Sequence, residues 1–311
     1  LMSVQSPNAV VMIRPNNFKP NPETATDNRF QTIPNMPSAE ISRQAQTEFD
    51  SAVARLKDAG VRVHVFQDRA NDTPDSVFPN NWFSTHHGGH VAIYPMYAKS
   101  RRKERRTDVI EFLKQEYRVA EVTDFSGLEA DGLSLEGTGA MVLDHIGRLA
   151  FVARSHRADP ILLERFCTRF GYEPIVFDAA DAGGSPVYHT NVLMFVGSAC
   201  AMVGMDIVSN AERRQTISER LSETGRDVIA LSESQIGDFA GNAIELTGTN
   251  GPVLALSSRA EKALSPDQRR RLEGSLTLLP LDLPIIESAG GSARCMIAGI
   301  HLAPRAKRNF N

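Results

Sequence analysis

The feature that most constrains this chain is a pattern that returns five times. Polar or small residues lead into an apolar run at Asn80-Asn81-Trp82-Phe83, Gly137-Thr138-Gly139-Ala140-Met141-Val142, Tyr188-His189-Thr190-Asn191-Val192-Leu193-Met194, Gly241-Asn242-Ala243-Ile244 and Ser292-Ala293-Arg294-Cys295-Met296. The spacing is about 52 residues, the scale of a supersecondary repeat. The first four lead-ins continue through a turn into a second apolar run, as at His86-His87-Gly88-Gly89 before Val91-Ala92-Ile93, and so predict β-hairpins. Between lead-ins, helix-period segments over 39–58, 105–116, 159–171, 210–223 and 265–273 each precede a short apolar strand. In the second, Val109, Phe112 and Leu113 sit at i, i+3 and i+4.

A unit of helix, strand and hairpin cannot bury both of its faces alone. Five of them packed radially close a ring with few free edges. The apolar strand Ala9-Val10-Val11-Met12-Ile13 precedes every helix, and the last hairpin lacks a long partner after Cys295, so pairing of the two chain ends would close the ring. The expected fold is α/β, a five-bladed pseudo-symmetric α/β propeller forming one domain over residues 1–311.

Composition excludes several functions. The chain is 41% hydrophobic and 23% charged with a net charge of −3, which supports a sizeable core and no general attraction to nucleic acid or anionic membrane. It has no apolar run long enough to span a bilayer and no export signal, so a reducing cytoplasm is the expected compartment. The three cysteines are too few and too widely spaced for a disulfide framework. Cys167 falls in a helical pattern and Cys200 in a strand pattern, whereas Cys295 follows Gly290-Gly291-Ser292. The stretch His86-His87-Gly88-Gly89-His90 lies in a turn without a carboxylate or cysteine companion, so no metal is expected. Arg101 to Arg106 is interrupted by Glu104 and reads as a solvated helix start rather than a nucleic-acid patch.

In a radial repeat the lead-ins converge near the axis. They bring Asn80 and Asn81, Glu136, His189 and Asn191, Asn242, and Cys295 into one zone. A cysteine thiolate attacks, from a thiol of ordinary pKa ~8.5. A histidine can protonate a leaving group and then activate water, and a carboxylate can orient that histidine.

Leu135-Glu136-Gly137-Thr138-Gly139, Tyr188-His189-Thr190-Asn191 and Gly290-Gly291-Ser292-Ala293-Arg294-Cys295-Met296 resemble the Glu, His and Cys motifs of the guanidino-group-modifying superfamily, over nearly the whole chain. That superfamily holds arginine deiminases, dimethylarginine dimethylaminohydrolases and amidinotransferases on the pentein fold. The stretches Met12-Ile13-Arg14-Pro15, Asn21 to Gln31 and Phe78-Pro79-Asn80-Asn81-Trp82 look most like its citrulline-hydrolase branch. The resemblance implies Cys295, His189 and Glu136 as catalytic residues. It implies Asn80, Asn81, Asn191, Asp75 and Phe78 as substrate contacts. Arg101 and Arg157 are the implied holders of a substrate carboxylate, with Arg102 and Arg154 close enough in register to replace them.

Arginine deiminase-like members carry aspartate where Asn81 and Asn191 stand here. Those aspartates grip a cationic guanidinium through charge-assisted bonds worth roughly 1.5–3 kcal/mol each. Asparagine offers one carbonyl acceptor and two N–H donors, which match a neutral ureido group. The expected activity is therefore hydrolysis of citrulline or a similar compound to ornithine, CO2 and ammonia, with no cofactor. The expected partner is a small amino-acid substrate, with homodimer formation allowed. Alternatives are an arginine deiminase, an amidinotransferase, and a non-catalytic binder, since ribosome-binding translation factors share the propeller.

Overall fold

The computed structural model describes residues 4–306. It contains five three-stranded sheets, each built on one plan. A short inner strand turns back antiparallel into a middle strand, a helix crosses over, and an outer strand returns parallel to the middle one. The second repeat shows it: Phe83–His86 pairs with His90–Ile93, helix Thr107–Glu116 follows, and Glu121–Asp124 completes the sheet. Each post-helical strand thus joins the hairpin before it, not the one after it. The fold is α/β and has the five units that the repeat predicts.

Local sequence sets these elements. Helix Pro160–Phe170 starts at Asp159, whose carboxylate accepts from the Ile161 and Leu162 amides, has proline at its first turn, and stops at Gly171 with φ 70°. Helix Pro266–Glu273 has few apolar residues, but Ser265 and Gln268 form a reciprocal capping box at its start. Middle strands such as Leu149–Ala153 and Cys200–Val203 are buried throughout, and outer strands such as Arg62–Gln67 are partly exposed.

The first sheet joins the chain ends. Ala9–Arg14 lies between Arg62–Gln67, in parallel, and the two-residue strand Ala298–Gly299, in antiparallel register Val10 to Gly299. One strand departs from expectation. The apolar run after the second helix predicts a strand over 117–122, but it begins at Glu121. Tyr117 instead bridges Pro304, and the Arg118 amide donates to Ala303, so the C-terminal segment takes the start of that run.

Between sheets the packing is apolar, with ion pairs where charge must be buried. Arg226 donates two bonds of 2.7 and 2.8 Å to Asp144 from a different sheet, both side chains fully buried. At one end of the axis residues 5–7 act as a plug. The Gln5 amide donates to the Leu143 and Val196 carbonyls and accepts from the His145 amide, and the Thr247 amide donates to Pro7. At the other end the hairpin lead-ins meet. The short turn Pro79–Asn81 packs against Gly137–Ala140 and Ala293–Met296, and Gly137–Ala140 packs against Thr190–Val192. Four of the five lead-ins are therefore tight helical turns rather than strand ends, the exception being Gly241-Asn242-Ala243.

Candidate active site

Three of these turns carry the chemistry-bearing residues. Glu136 caps the turn Gly137–Ala140, His189 precedes Thr190–Val192, and Cys295 lies within Ala293–Met296. His189 Nε2 lies 2.8 Å from Glu136 Oε1. Arg157 and Arg101 approach the same oxygen at 3.4 and 3.9 Å, and the Tyr97 amide donates to Oε2 at 2.9 Å. Although burial alone would raise the Glu136 carboxyl, Arg157, His189 and Arg101 hold it well below the usual carboxylate range. An ionised Glu136 accepts only, so Nε2 carries the imidazole proton and Nδ1 is left with its lone pair. Burial lowers His189 to about 4, which keeps it neutral near pH 7.

Glycine makes room for this geometry. A Cβ on Gly139 would stand 2.2 Å from Asn81 Nδ2 and 2.8 Å from His189 Nδ1. Gly137 has φ +49°, and a Cβ there would meet the Asn80 carbonyl at 2.4 Å. Gly290 has φ +87° and abuts the Asn28 amide, while Gly291 lies against the Phe78 ring. The Gly290-Gly291 pair thus lets two segments cross at contact distance on the way to Cys295.

Cys295 is buried, and its sulfur accepts from Asn191 Nδ2 and Asn242 Nδ2, each at 3.3 Å. Two N–H groups aimed at sulfur suit a thiolate, the nucleophilic form of cysteine. The other two cysteines sit in apolar surroundings, where burial pushes Cys167 up to about 12 and Cys200 up to about 11.

The remaining expected contacts join this network. Arg101 Nη1 donates to Asn81 Oδ1 at 2.8 Å, its Nη2 donates to the Phe78 carbonyl, and Glu104 accepts from Nε and Nη2. Asp75 Oδ2 accepts from Asn21 at 2.9 Å and lies 3.9 Å from Arg101. Asn80 Nδ2 donates to the Thr138 hydroxyl. Arg157 grips Asp27 with two bonds of 3.0 and 2.6 Å and lies over the Tyr188 ring. Arg102 and Arg154 face elsewhere, Arg102 on the Met96 carbonyl and Arg154 on exposed Asp178. Both expected carboxylate holders are thus engaged with protein groups. Arg101 retains one N–H, on Nη1, which points into Glu136; Arg157 retains one on each Nη.

Four buried polar atoms here have no partner: Asp75 Oδ1, Asn80 Oδ1, Asn81 Nδ2 and Asn191 Oδ1. Unpaired buried polar atoms cost stability, and their concentration in one place marks a site shaped for a polar ligand. Among the described residues, no cluster of three or more His, Cys, Asp or Glu could hold a metal ion. Reading the sequence missed Asp27, Glu104 and the Tyr97 amide. Asn242 was visible as the fourth lead-in, but its bond to sulfur was not.

Known structures share this architecture. The N-terminal domain of ArgZ, in a variant covalently bound to a reaction intermediate, superposes with TM-score 0.73 at 17% identity, over 93% of this chain and 96% of that one. ArgZ is described as an arginine dihydrolase from the Ornithine-Ammonia Cycle in Cyanobacteria. Unliganded AgrE superposes with TM-score 0.74 at 17% identity over 96% of this chain, which spans 40% of AgrE. A dimethylarginine dimethylaminohydrolase adduct with 4-chloro-2-hydroxymethylpyridine gives TM-score 0.64 at 13% identity, over 96% and 99% of the two chains. At such identities the likeness is one of fold. No curated protein matches the chain. Residues 14–302 match the family described as N,N dimethylarginine dimethylhydrolase, eukaryotic, and the chain belongs to that family of C–N hydrolases within the guanidino-group-modifying superfamily.

Proposed function

We propose that this protein hydrolyses the ureido group of citrulline or a close analogue to ornithine, CO2 and ammonia. The observation that carries this reading is the set of unpaired amide atoms beside Cys295. Asn81 Nδ2 is a free donor, and Asn191 Oδ1 and Asn80 Oδ1 are free acceptors. A neutral ureido group has one C=O and several N–H groups, which fit that set without a counter-charge.

In the proposed reaction, Cys295 Sγ attacks the ureido carbon. His189 Nδ1 takes the thiol proton and passes it to the departing nitrogen, so ammonia leaves and an S-carbamoyl intermediate remains. His189 then draws a proton from water, the C–S bond breaks, and the released carbamate loses CO2 to give ornithine. Glu136 holds the imidazole tautomer and stabilises its charged form. The two spare N–H groups of Arg157 suit the substrate carboxylate better than Arg101, which serves to hold Asn81 and Glu136.

A second reading, hydrolysis of arginine, has its own support. Asp75 Oδ1 is a free carboxylate oxygen in the same site, and a guanidinium would pair with it. The test is to incubate the protein separately with citrulline and arginine, and to follow ammonia, ornithine and citrulline. Ornithine from citrulline, abolished by Cys295→Ala, is expected. Citrulline accumulating from arginine, with citrulline itself inert, would overturn the ureido reading in favour of deimination.

A further inference from the structure

Behind the nucleophile, on the axis, lies a second polar centre that this chemistry does not use. Arg294 precedes Cys295, but its side chain points the other way. Its Nη1 donates to the Ile297 carbonyl at 2.7 Å. No carboxylate among the described residues forms an ion pair with the part-buried Arg294, although the fully buried Arg101, Arg157 and Arg226 each have one: Glu104, Asp27 and Asp144. Burial lowers Arg294 to about 10, with only Cys295 acting in the opposite direction. A guanidinium partly withdrawn from water without a counter-charge favours a partner of opposite charge.

Arg294 borders two small cavities, of about 50 and 30 Å³, which together are walled by the inner strands of all five sheets, the larger also by Gln5 and Pro7 of the plug. The larger contains Glu245, whose oxygens are already taken by the Ser198 amide and by the Ser198 and Ser6 hydroxyls. The smaller has no carboxylate in its wall. Its polar side chains are those of Arg294, His86, His145, His301, Ser84, Thr85 and Thr138. Its volume exceeds the ~10–15 Å³ that one water needs, and so admits a monatomic ion.

The imidazoles add donor capacity. His145 and His301 stack with ring centroids 3.9 Å apart. Tyr172 OH lies 3.1 Å from His145 Nδ1 and 3.4 Å from His86 Nδ1, and the Ser84 hydroxyl lies 2.7 Å from His86 Nε2, so His86 is engaged at both nitrogens and His145 at one. Burial and neighbouring cations, Arg294 among them, press His145 well below its ordinary value, and burial together with Arg294 lowers His301 to about 4. These shifts keep the imidazoles neutral near pH 7, so Arg294 is the one formal charge among the described residues in the wall of the smaller cavity, and the Glu245 carboxylate lies in the larger one.

We propose that the axial cavity behind Cys295 binds a small monovalent anion of chloride size, held by the Arg294 guanidinium and the neighbouring His145 and His301 imidazoles. The anion supplies the missing counter-charge. It also sets the field on the nucleophile's side of the axis, because the Arg294 backbone amide donates to Asn242 Oδ1 while Asn242 Nδ2 donates to Cys295 Sγ.

The test uses bromide as the probe. Crystals of the whole protein grown in bromide are expected to show an anomalous peak in this cavity, beside Arg294. In parallel, bromide replaces gluconate at constant ionic strength while thermal unfolding is followed. A saturable rise of about 2 °C or more is expected at bromide well above its dissociation constant. The rise should vanish in Arg294→Met and persist in Arg154→Met, which alters an exposed arginine. No peak in the cavity, or an equal rise in Arg294→Met, would overturn the proposal. Because neither readout depends on turnover, the outcome is independent of the ureido assignment.

Discussion

The two ends of the axis hold arginine in opposite ways. On the catalytic side, Arg101 and Arg157 lie among Glu104, Asp75, Asp27 and Glu136, with most of their hydrogens in use. On the plugged side, Arg294 has a carbonyl and a small cavity. The difference teaches what each charge is for. A paired arginine fixes protein groups, here the Asn81 amide and the Glu136 carboxylate. An unpaired one keeps its field available to something that arrives.

The comparison is tested hardest at Glu136, which serves both cations and the imidazole. Glu136→Gln should lower kcat by about 10²–10⁴ through loss of tautomer and charge control. It should also destabilise the fold by about 3–5 kcal/mol, because two buried guanidiniums lose a shared partner. Steady-state kinetics and urea unfolding check the two parts.

Next come the arginines themselves. Arg101→Met should cost about 3–5 kcal/mol by leaving buried Glu104 unpaired. Arg294→Met, in chloride-free buffer, should change stability by less than about 1.5 kcal/mol or improve it. Equal losses in the two variants would show that the charges are not used differently.

A smaller effect isolates shape from charge. Gly139→Ala adds no charge, but its methyl would overlap the Asn81 amide and crowd His189. Displacement of about 1 Å in such a group can lower turnover roughly 10²-fold. The variant should lose activity while unfolding near the wild-type midpoint, and wild-type turnover would refute the packing argument.

The smallest effect lies outside both centres. Burial pushes Glu48 up to about 7, against the pull of the Ile285 and Ile286 amides that it accepts. The folded state therefore keeps a proton that the unfolded chain releases near its ordinary 4.5. Stability from this group is present below about pH 4.5 and lost as pH rises toward 7. Glu48→Gln should flatten that fall, as read from unfolding midpoints across the window; an unchanged slope would assign it to other groups.

Much of this was legible in the sequence because the repeat marks its own lead-ins. Glu136, His189 and Cys295 stand at equivalent points of different units, so their meeting follows from the periodicity. Asp27 is different. It lies in a segment without apolar period, and its pairing with Arg157 spans 130 residues, so nothing local signals it. Glu104 could be seen only as an interruption of a basic run, whereas in the fold it is the counter-charge of Arg101. Glu121 marks a third case, where hydrophobic pattern alone overran the strand because it cannot register the C-terminal segment competing for Tyr117 and Arg118.

The pairing of Val10 with Gly299 has a consequence for synthesis. On the ribosome, every partner needed by the other four sheets is available before residue 298 emerges, while the first sheet waits for its third strand. That late segment also carries Cys295, the nucleophile of the proposed reaction. A nascent chain therefore holds Glu136 and His189 before Cys295 exists. The order of translation thus delivers the Cys295 sulfur last, to a chain whose other proposed site residues are already made.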